Sequence, residues 1–230
     1  MKNGQEVKAL VKKCLAPPSR LSVSEWADTF RQLPSESAEP GRWRTDRVPY
    51  MRSVMNAFTD SNVQRIVVKS CSQCGKSEVL QNIVGRTAHL DPCSIMIVQP
   101  TLSDAEDFSK ARLSRMIADT KVLTPLFYDK ARSRDANQTI LSKFFKGGRV
   151  VLVGANSSAG LASRPIKILL CDEVDRYPPS IKEGDPIRLA EARTSTFFRQ
   201  EDCAVFDADD RRIQPDRFGI RTGNAGGMAA

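Results

Sequence analysis

Short apolar runs alternate with segments of helix length along most of this sequence, and this pattern restricts the fold more than any other feature. Strands that alternate with helices are joined by crossovers, which make neighbouring strands parallel and cover the sheet on both faces. The sequence therefore predicts an α/β domain with a mostly parallel sheet flanked by helices. The predicted strands are residues 63–68, 95–99, 150–153 and 166–171, and the predicted helices are residues 77–89 and 103–118.

The N-terminal part of the chain lacks this alternation, and residues 1–45 are predicted to form a helical leader. Residues 6–15 have a helical pattern that a following Pro-Pro pair ends. Ser22 or Ser24 is predicted to cap a second helix, since a short hydroxyl side chain satisfies the free N–H groups of a first turn. The sheet domain is accordingly placed at residues 46–198.

The charge balance and the short apolar runs limit the function classes. Lys and Arg number 35 against 27 acidic residues, which gives a net charge of +8. This excess favours encounters with nucleic acids, although the basic residues are spread along the chain and a solvated surface of mixed charge accounts for most of them. A membrane-spanning helix needs about 20 apolar residues, and neither such a run nor a secretory signal is present. We therefore expect a cytoplasmic protein that does not enter membranes.

A glycine, a lysine and a serine stand where a predicted strand passes into a predicted helix. Such a junction is the context of a phosphate-binding loop, in which N–H groups at the start of the helix cradle phosphate oxygens. We predict that Lys76 contacts the β- and γ-phosphates of ATP and that the Ser77 hydroxyl is a magnesium ligand. The predicted ATP-binding residues of this loop are Ser70, Cys71, Ser72, Gln73, Cys74, Gly75, Lys76 and Ser77.

Two features of this loop leave alternatives open. Ser70 stands where the phosphate-loop pattern has its first glycine, so an ordinary strand-to-helix turn is one alternative. Cys71 and Cys74 form a single Cys-x-x-Cys pair, which serves redox chemistry or metal binding in other proteins. A zinc site needs further ligands at suitable spacing, and His89 is the only histidine of the chain.

Two acidic residues, Asp172 and Glu173, follow the last predicted strand. The carboxyl ends of parallel strands face the crevice in which α/β proteins bind their ligands. We predict that Asp172 holds magnesium and that Glu173 orients or deprotonates an attacking water molecule. Taken without the phosphate loop, the pair is equally well explained as an acidic turn after a strand.

Polar residues near two other strand ends are candidates for DNA contact or for coupling of hydrolysis to motion. Gln99 and Thr101 stand at the end of the second predicted strand, an edge at which motor ATPases commonly contact nucleic acid. Thr101 fits equally well as an ordinary helix cap. Arg164 closes a segment of small residues, 154–164, that is predicted to be a mobile loop.

In their order along the chain, these segments resemble the N-terminal ATPase domain of the large terminase subunit of lambda-like tailed bacteriophages. The resemblance covers about residues 20–198 and is more specific than any single motif. It rests on Trp26-Ala27, Pro40-Gly41-Arg42-Trp43-Arg44-Thr45, Pro49-Tyr50, the loop from Lys69 to Ser77, Gln99-Pro100-Thr101, residues 154–165 and Asp172-Glu173-Val174-Asp175-Arg176-Tyr177-Pro178.

The resemblance implies an ASCE-type P-loop motor that hydrolyses ATP with magnesium and drives double-stranded DNA into a procapsid. It implies the small terminase subunit and the portal of the procapsid as partners, a homo-oligomeric ring of the full-length protein, and a location in the host cytoplasm. Relatives often carry a basic residue where Lys69 stands, and Lys69 would then act like an arginine finger supplied in cis. Tyr50 lies where related motors contact adenine.

Residues 199–230 depart from this family, because they are polar and rich in Asp and Gly where relatives have a strand and a Ser-Thr-Pro-Thr coupling segment. We expect a disordered tail and no nuclease domain. Back-translation of residues 200–211, read one nucleotide later, permits RKIVLCSTPTI, which contains the missing strand and coupling segment. Our hypothesis is a C-terminally truncated terminase whose tail arises from a frameshift.

Two other functions fit the same residues. A helicase-like, DNA-dependent ATPase has the same core and would unwind a duplex without any procapsid. A catalytically inactive, truncated fragment would bind nucleotide or a partner protein and turn nothing over.

Overall fold

The computed structural model describes residues 20–69, 73–127, 139–162, 165–195, 204–208 and 221–222. The helix predicted at residues 6–15 lies outside these ranges. A small hairpin near the N-terminus pairs β1 (Gln32–Leu33) with β2 (Gly41–Arg42). The main sheet comprises β3 (Val63–Lys69), β4 (Ser94–Gln99), β5 (Ser142–Phe145), β6 (Gly148–Gly154), β7 (Ile168–Cys171), β8 (Ala204–Ala208) and β9 (Arg221–Thr222).

The order of strands in the main sheet is β5-β6-β4-β7-β8-β3-β9. The central strands β6, β4, β7, β8 and β3 are parallel, whereas β5 and β9 pair antiparallel with their neighbours at the two edges. This arrangement confirms the predicted fold class. The strand that leads into the phosphate loop, β3, and the strand that ends before Asp172, β7, are separated by β8 alone.

Helices cover the sheet, and side chains that the sequence offers cap several of them. Ser22 caps the first helix in a capping box with Glu25, Thr101 caps the helix after β4, and Asp185 caps the last one. Each cap satisfies an N–H group that the first turn leaves free. The helices are α1 (Val23–Phe30), α2 (Arg52–Ala57), α3 (Lys76–Leu90), α4 (Leu102–Asp107), α5 (Ser114–Asp119), α6 (Thr124–Phe127), α7 (Ser158–Ala162) and α8 (Pro186–Glu191).

Apolar side chains fill both faces of the sheet, as a parallel sheet requires. Along β4, Ile95 and Ile97 join a large cluster with α1 and α3, whereas Met96 and Val98 join a second cluster on the opposite face. The four residues of β7 divide between the two clusters in the same alternation. Among the described helices, none is both long enough and apolar enough to cross a bilayer.

The N-terminal helix α1 packs against α3, the helix that follows the phosphate loop. Trp26 is fully buried and contacts Gly85 so closely that a Cβ at position 85 would lie 2.3 Å from Trp26 Cη2. Val23, Trp26 and Trp43 belong to the same apolar cluster as the sheet. The boundary predicted at residue 45 therefore coincides with no break in the packing of the described residues.

Four local features differ from the sequence-based expectations. The helix predicted at residues 103–118 runs from α4 to α5 through a π-helical turn, Phe108–Leu113. The edge strand β5 was not predicted, and α7 lies within the segment predicted to be a loop. Residues 204–208 form β8 and residues 221–222 form β9, both inside the tail predicted to be disordered.

Candidate active site

The phosphate-loop segment joins the carboxyl end of β3 to the first turn of α3. Lys69 is the last residue of β3 and is exposed, and Lys76 and Ser77 open the 15-residue helix α3. Gly75 is the N-cap of α3 with a φ of 89°, a left-handed conformation that favours glycine. Gln73 also has a positive φ, 57°. The predicted residues Ser70, Cys71 and Ser72 lie outside the described ranges.

Tyr50 lies beside this loop. Its hydroxyl donates a hydrogen bond of 3.1 Å to the carbonyl oxygen of Cys74, although the side chain is 55% exposed. The ring is carried by a short 3₁₀ turn, Pro49–Met51, that leads into α2. An exposed aromatic ring that is fixed to the loop backbone is well placed to stack on a flat ligand.

Ser77 and Asp172 meet across the carboxyl edge of the sheet. The Ser77 hydroxyl donates to Asp172 Oδ2 at 3.2 Å and lies 3.5 Å from Oδ1. Asp172 directly follows β7 and is only 3% exposed, and its N–H donates to the carbonyl of Val98 at 3.0 Å. The fold thereby brings together two residues that lie far apart in the sequence.

Gln99 also reaches Asp172. Its Nε2 donates to Asp172 Oδ2 at 3.0 Å, and the residue is 4% exposed. The side chain of Gln99 is therefore buried in the sheet edge and is not exposed for a DNA contact. Thr101 is exposed at the start of α4, where its hydroxyl accepts from the N–H of Asp104 at 3.1 Å. Arg164 lies outside the described residues.

Glu173 has an unusual backbone conformation and a charged partner. Its φ of 50° and ψ of 49° place it in the left-handed region, which is costly for a residue with a Cβ. Its carboxylate forms an ion pair with Arg176, and both side chains are about half exposed. Arg176 also lies 3.9 Å from the carboxylate of Asp104 in α4. The hydrogen bond to the Glu173 carboxylate and its charge raise the pKa of Arg176.

Tyr177 fixes the turn that follows Asp172 to the end of β4. Its buried hydroxyl donates 2.8 Å to the carbonyl of Val98, the same oxygen that accepts from Asp172 N–H. Burial raises the pKa of Tyr177 well above its usual value and raises the pKa of the Cys171 thiol to about 12. Cys171 is therefore an inert core thiol.

A buried arginine that the sequence analysis missed braces the first turns of α3. Arg31 follows α1 and is 1% exposed. Its guanidinium donates to Glu78 at 2.8 Å and to Asn82 and Gln81 at 3.2 Å each. Glu78 directly follows Ser77, so the N-terminal segment is tied to the phosphate-binding end of α3. No local pattern around Arg31 distinguishes it from a surface arginine.

The arrangement defines the chemical class of the site. A parallel strand, β3, leads through a glycine with positive φ into a helix. The first turn of that helix faces the buried carboxylate that follows β7, two strands away in the sheet. A helix N-terminus attracts phosphate, and an adjacent carboxylate and hydroxyl are oxygen ligands for magnesium. These features define a P-loop NTPase domain.

Comparison with known proteins gives the family. The sequence profile of the family "phage terminase large subunit gpA, ATPase domain" matches residues 37–207. This is well over half of the chain, and the chain belongs to this family. The match extends past residue 198, where the sequence analysis placed the departure from the family.

Individual relatives agree with this assignment. The chain is 28% identical to the terminase large subunit of Escherichia phage lambda over 191 residues, covering 81% of this chain and 29% of the relative. It is 25% identical to that of Enterobacteria phage P21 over 178 residues, covering 76% of this chain and 27% of the relative. The chain thus spans less than a third of the length of these two relatives.

The fold is also that of a solved large terminase. The crystal structure of the HK97 bacteriophage large terminase matches 84% of this chain and 38% of its own, with a TM-score of 0.63. Sequence identity in this match is 10%, so the likeness concerns the fold.

Proposed function

We propose that this chain hydrolyses ATP with magnesium as the ATPase domain of a DNA-packaging motor. The contact of 3.2 Å between Ser77 Oγ and Asp172 Oδ2 carries the proposal, because it joins two oxygen ligands at the N-terminus of α3. Hydroxyl and carboxylate oxygens suit magnesium, so the residues present fit this ion. Bound magnesium supplies neutralisation of charge on the β- and γ-phosphates.

The remaining residues have roles in binding and positioning. Lys76 and the first N–H groups of α3 hold the phosphates, and Lys69 adds positive charge from the end of β3. Glu173 accepts a proton from the attacking water or orients it. Tyr50 stacks on the base. Phosphoryl transfer depends mostly on such positioning and charge stabilisation, so loss of one phosphate lysine costs several kcal/mol of barrier.

We further propose that hydrolysis moves double-stranded DNA into a procapsid. Membership of the terminase family supports this, and the net charge of +8 favours approach to DNA. The small terminase subunit, the portal of the procapsid and further copies of the full-length protein in a ring are the partners that this role requires. Thr101 and Arg164 are kept as candidates for the DNA contact.

Steady-state ATP turnover by the purified chain tests the enzymatic part. Turnover is measured with magnesium, with and without duplex DNA, for the native sequence, Lys76→Ala and Glu173→Gln. Lys121→Ala and Glu183→Gln make the same changes at exposed positions outside the site and serve as controls. We expect turnover in the native sequence and both controls and its loss in the two site variants.

The outcomes separate the proposal from its rivals. Stimulation of turnover by duplex DNA supports a DNA-dependent motor, and unwinding of a duplex without a procapsid indicates the helicase-like alternative instead. A native chain that binds ATP but turns over no faster than Lys76→Ala is the inactive fragment, and the proposed hydrolysis is then wrong for this polypeptide.

A further inference from the structure

The side-chain amide of Gln99 donates a hydrogen bond to the carboxylate that we propose as a magnesium ligand. The amide reaches Asp172 from the end of β4, whereas the Ser77 hydroxyl reaches it from α3. Both donors lie close to Oδ2, at 3.0 and 3.2 Å. Two bonds to the same oxygen fix the rotation of the carboxylate.

The backbone around Gln99 ties three strand ends together. The carbonyl of Gln99 accepts from the N–H of Ala155, which directly follows β6, at 2.7 Å. The preceding carbonyl, Val98, accepts from Asp172 N–H at 3.0 Å and from the Tyr177 hydroxyl at 2.8 Å. The end of β4 therefore sets the position of Asp172 through both its backbone and the Gln99 side chain.

A buried amide in this place needs a reason, since an apolar side chain would fill the same space without a polar group to satisfy. Burial of an amide is costly unless it is hydrogen-bonded, and a hydrogen bond to a charged acceptor is among the stronger ones. Partners that orient the ligands of a metal typically change metal affinity 10- to 100-fold when they are lost. The Gln99 amide has the position of such a partner.

We propose that Gln99 is a positioning residue for magnesium binding, holding Asp172 in the rotamer that presents its carboxylate beside Ser77. This rests on the proposed function and deepens it. Since Gln99 is two residues before Thr101, the cap of α4, the same residue links the metal site to the start of the helix that runs to Asp119.

The test separates magnesium affinity from nucleotide affinity. In the full 230-residue chain, binding of a fluorescent, non-hydrolysable ATP analogue is measured in EDTA and then against increasing magnesium. Gln99→Met keeps the length of the side chain and removes the donor, and Gln99→Asn keeps the amide but is too short to reach. Asn82→Leu is the matched control, because Asn82 carries a buried amide that bonds Arg31 instead of Asp172.

We expect the half-saturating magnesium concentration to rise about tenfold in both Gln99 variants, with nucleotide affinity in EDTA within about twofold of the native chain. Asn82→Leu is expected to keep the native magnesium dependence even where it lowers the melting temperature. If either Gln99 variant keeps both the native circular dichroism spectrum and the native magnesium dependence, the inference about Gln99 is wrong. The proposed function is not affected by that result. A native chain that binds the analogue no better with magnesium overturns the proposed function as well.

Discussion

At the scale of single residues, the ion pair between Glu173 and Arg176 governs how freely the proposed base can act. Both side chains are about half exposed, and an exposed ion pair contributes about 0–1 kcal/mol. A carboxylate held by this arginine must leave the pair before it can turn towards an attacking water molecule. We predict that Arg176→Ala raises ATP turnover by at most about fivefold, which corresponds to about 1 kcal/mol of barrier.

The matched control for this variant is Arg188→Ala. Arg188 pairs at 4.0 Å with Asp185, also three residues away, and it lies in α8 outside the site. Turnover of this control is expected to equal that of the native chain, and denaturant midpoints of both variants are expected to stay near the native value. Turnover that falls in Arg176→Ala would show that the arginine assists the reaction and does not restrain Glu173.

The residues of the site that the sequence could predict are those with a motif. Gly75, Ser77 and Asp172 stand at strand-to-helix or strand-to-loop junctions, and topology alone brings such junctions to one edge of a parallel sheet. The contacts of Gln99 with Asp172 and of Arg31 with Glu78 depend on side-chain packing between segments distant in sequence. No local pattern carries that information, so the sequence alone permits both DNA contact and coupling as roles of Gln99.

At the scale of elements, the contact between α1 and α3 depends on the absence of a side chain at Gly85. A Cβ there would lie 2.3 Å from Trp26 Cη2 and 2.8 Å from Cζ3. We predict that Gly85→Ala destabilises the chain by about 2–3 kcal/mol, because overpacking outweighs the gain of about 1 kcal/mol in helix propensity. Urea unfolding followed by circular dichroism measures the change.

Two further variants identify the cause. Gly160→Ala places a Cβ in α7 at 3.2 Å from Ser157 Oγ, a contact that small shifts relieve, and is expected to stay within about 1 kcal/mol of the native stability. Trp26→Leu removes the ring that Gly85→Ala meets. In the double variant the cost of Gly85→Ala should shrink, and an undiminished cost would mean that the clash with Trp26 is not its origin.

The single histidine makes the same contact sensitive to pH. Trp26 Nε1 donates 3.1 Å to His89 Nδ1, and Phe30 packs edge-on against the imidazole with ring centroids 5.1 Å apart. Burial lowers the pKa of His89, so the unfolded chain takes up a proton at a higher pH than the folded chain does. By linkage, this contribution to stability is complete well above pH 6.5 and is lost as the pH falls below it.

We therefore predict that the free energy of unfolding decreases between pH 8 and pH 5.5 more steeply in the native chain than in His89→Gln. The glutamine keeps an acceptor for Trp26 and does not titrate. Urea titrations at each pH, followed by tryptophan fluorescence, give the two slopes. Equal slopes would assign the pH dependence to carboxylates and leave His89 without a part in it.

Elements in the centre of the fold were more predictable than those at its edges. β4 and β7 are covered on both faces and read as unbroken apolar runs, so their positions followed from composition. The edge strand β5 contains Ser142 and Lys143 and pairs on one side only, which leaves a weaker pattern. Comparison with the coupling segment of the family predicts no strand at β8, although Val205 and Phe206 are residue types that favour strands.

At the scale of the whole molecule, the N-terminal segment and the sheet share one core and should unfold together. Arg31 joins them by bonding Glu78, Gln81 and Asn82 of α3 from a buried position. We predict that Arg31→Ala costs about 3 kcal/mol, because it leaves a carboxylate and two amides with an empty space in place of their donor. Circular dichroism and tryptophan fluorescence should give coincident transitions in the native chain and in the variant.

Both tryptophans, Trp26 and Trp43, lie in the N-terminal segment, whereas circular dichroism reports mainly on the sheet domain. Fluorescence that changes at a lower urea concentration than circular dichroism would mean that residues 20–45 unfold as a separate unit. Arg31→Lys keeps the charge but not the forked geometry, and it should recover only part of the lost stability.

The position of β8 makes the last part of the chain a structural component of the site. Its backbone pairs with β3 from Arg65 to Lys69 and with β7 from Leu169 to Cys171, so it holds the phosphate-loop strand beside the strand that precedes Asp172.

Ending the chain after Phe198 removes this strand and leaves buried backbone groups on both neighbours without partners, each at a cost of about 1–3 kcal/mol. We predict that the shortened chain loses cooperative unfolding and magnesium-dependent nucleotide binding, while a chain that ends after Thr222 keeps both. If the frameshift hypothesis is correct, a chain in which RKIVLCSTPTI replaces residues 200–211 should also unfold cooperatively and bind nucleotide with magnesium. Native stability in the chain that ends after Phe198 would instead agree with the disordered tail expected from the sequence, and β8 would then have no part in the fold.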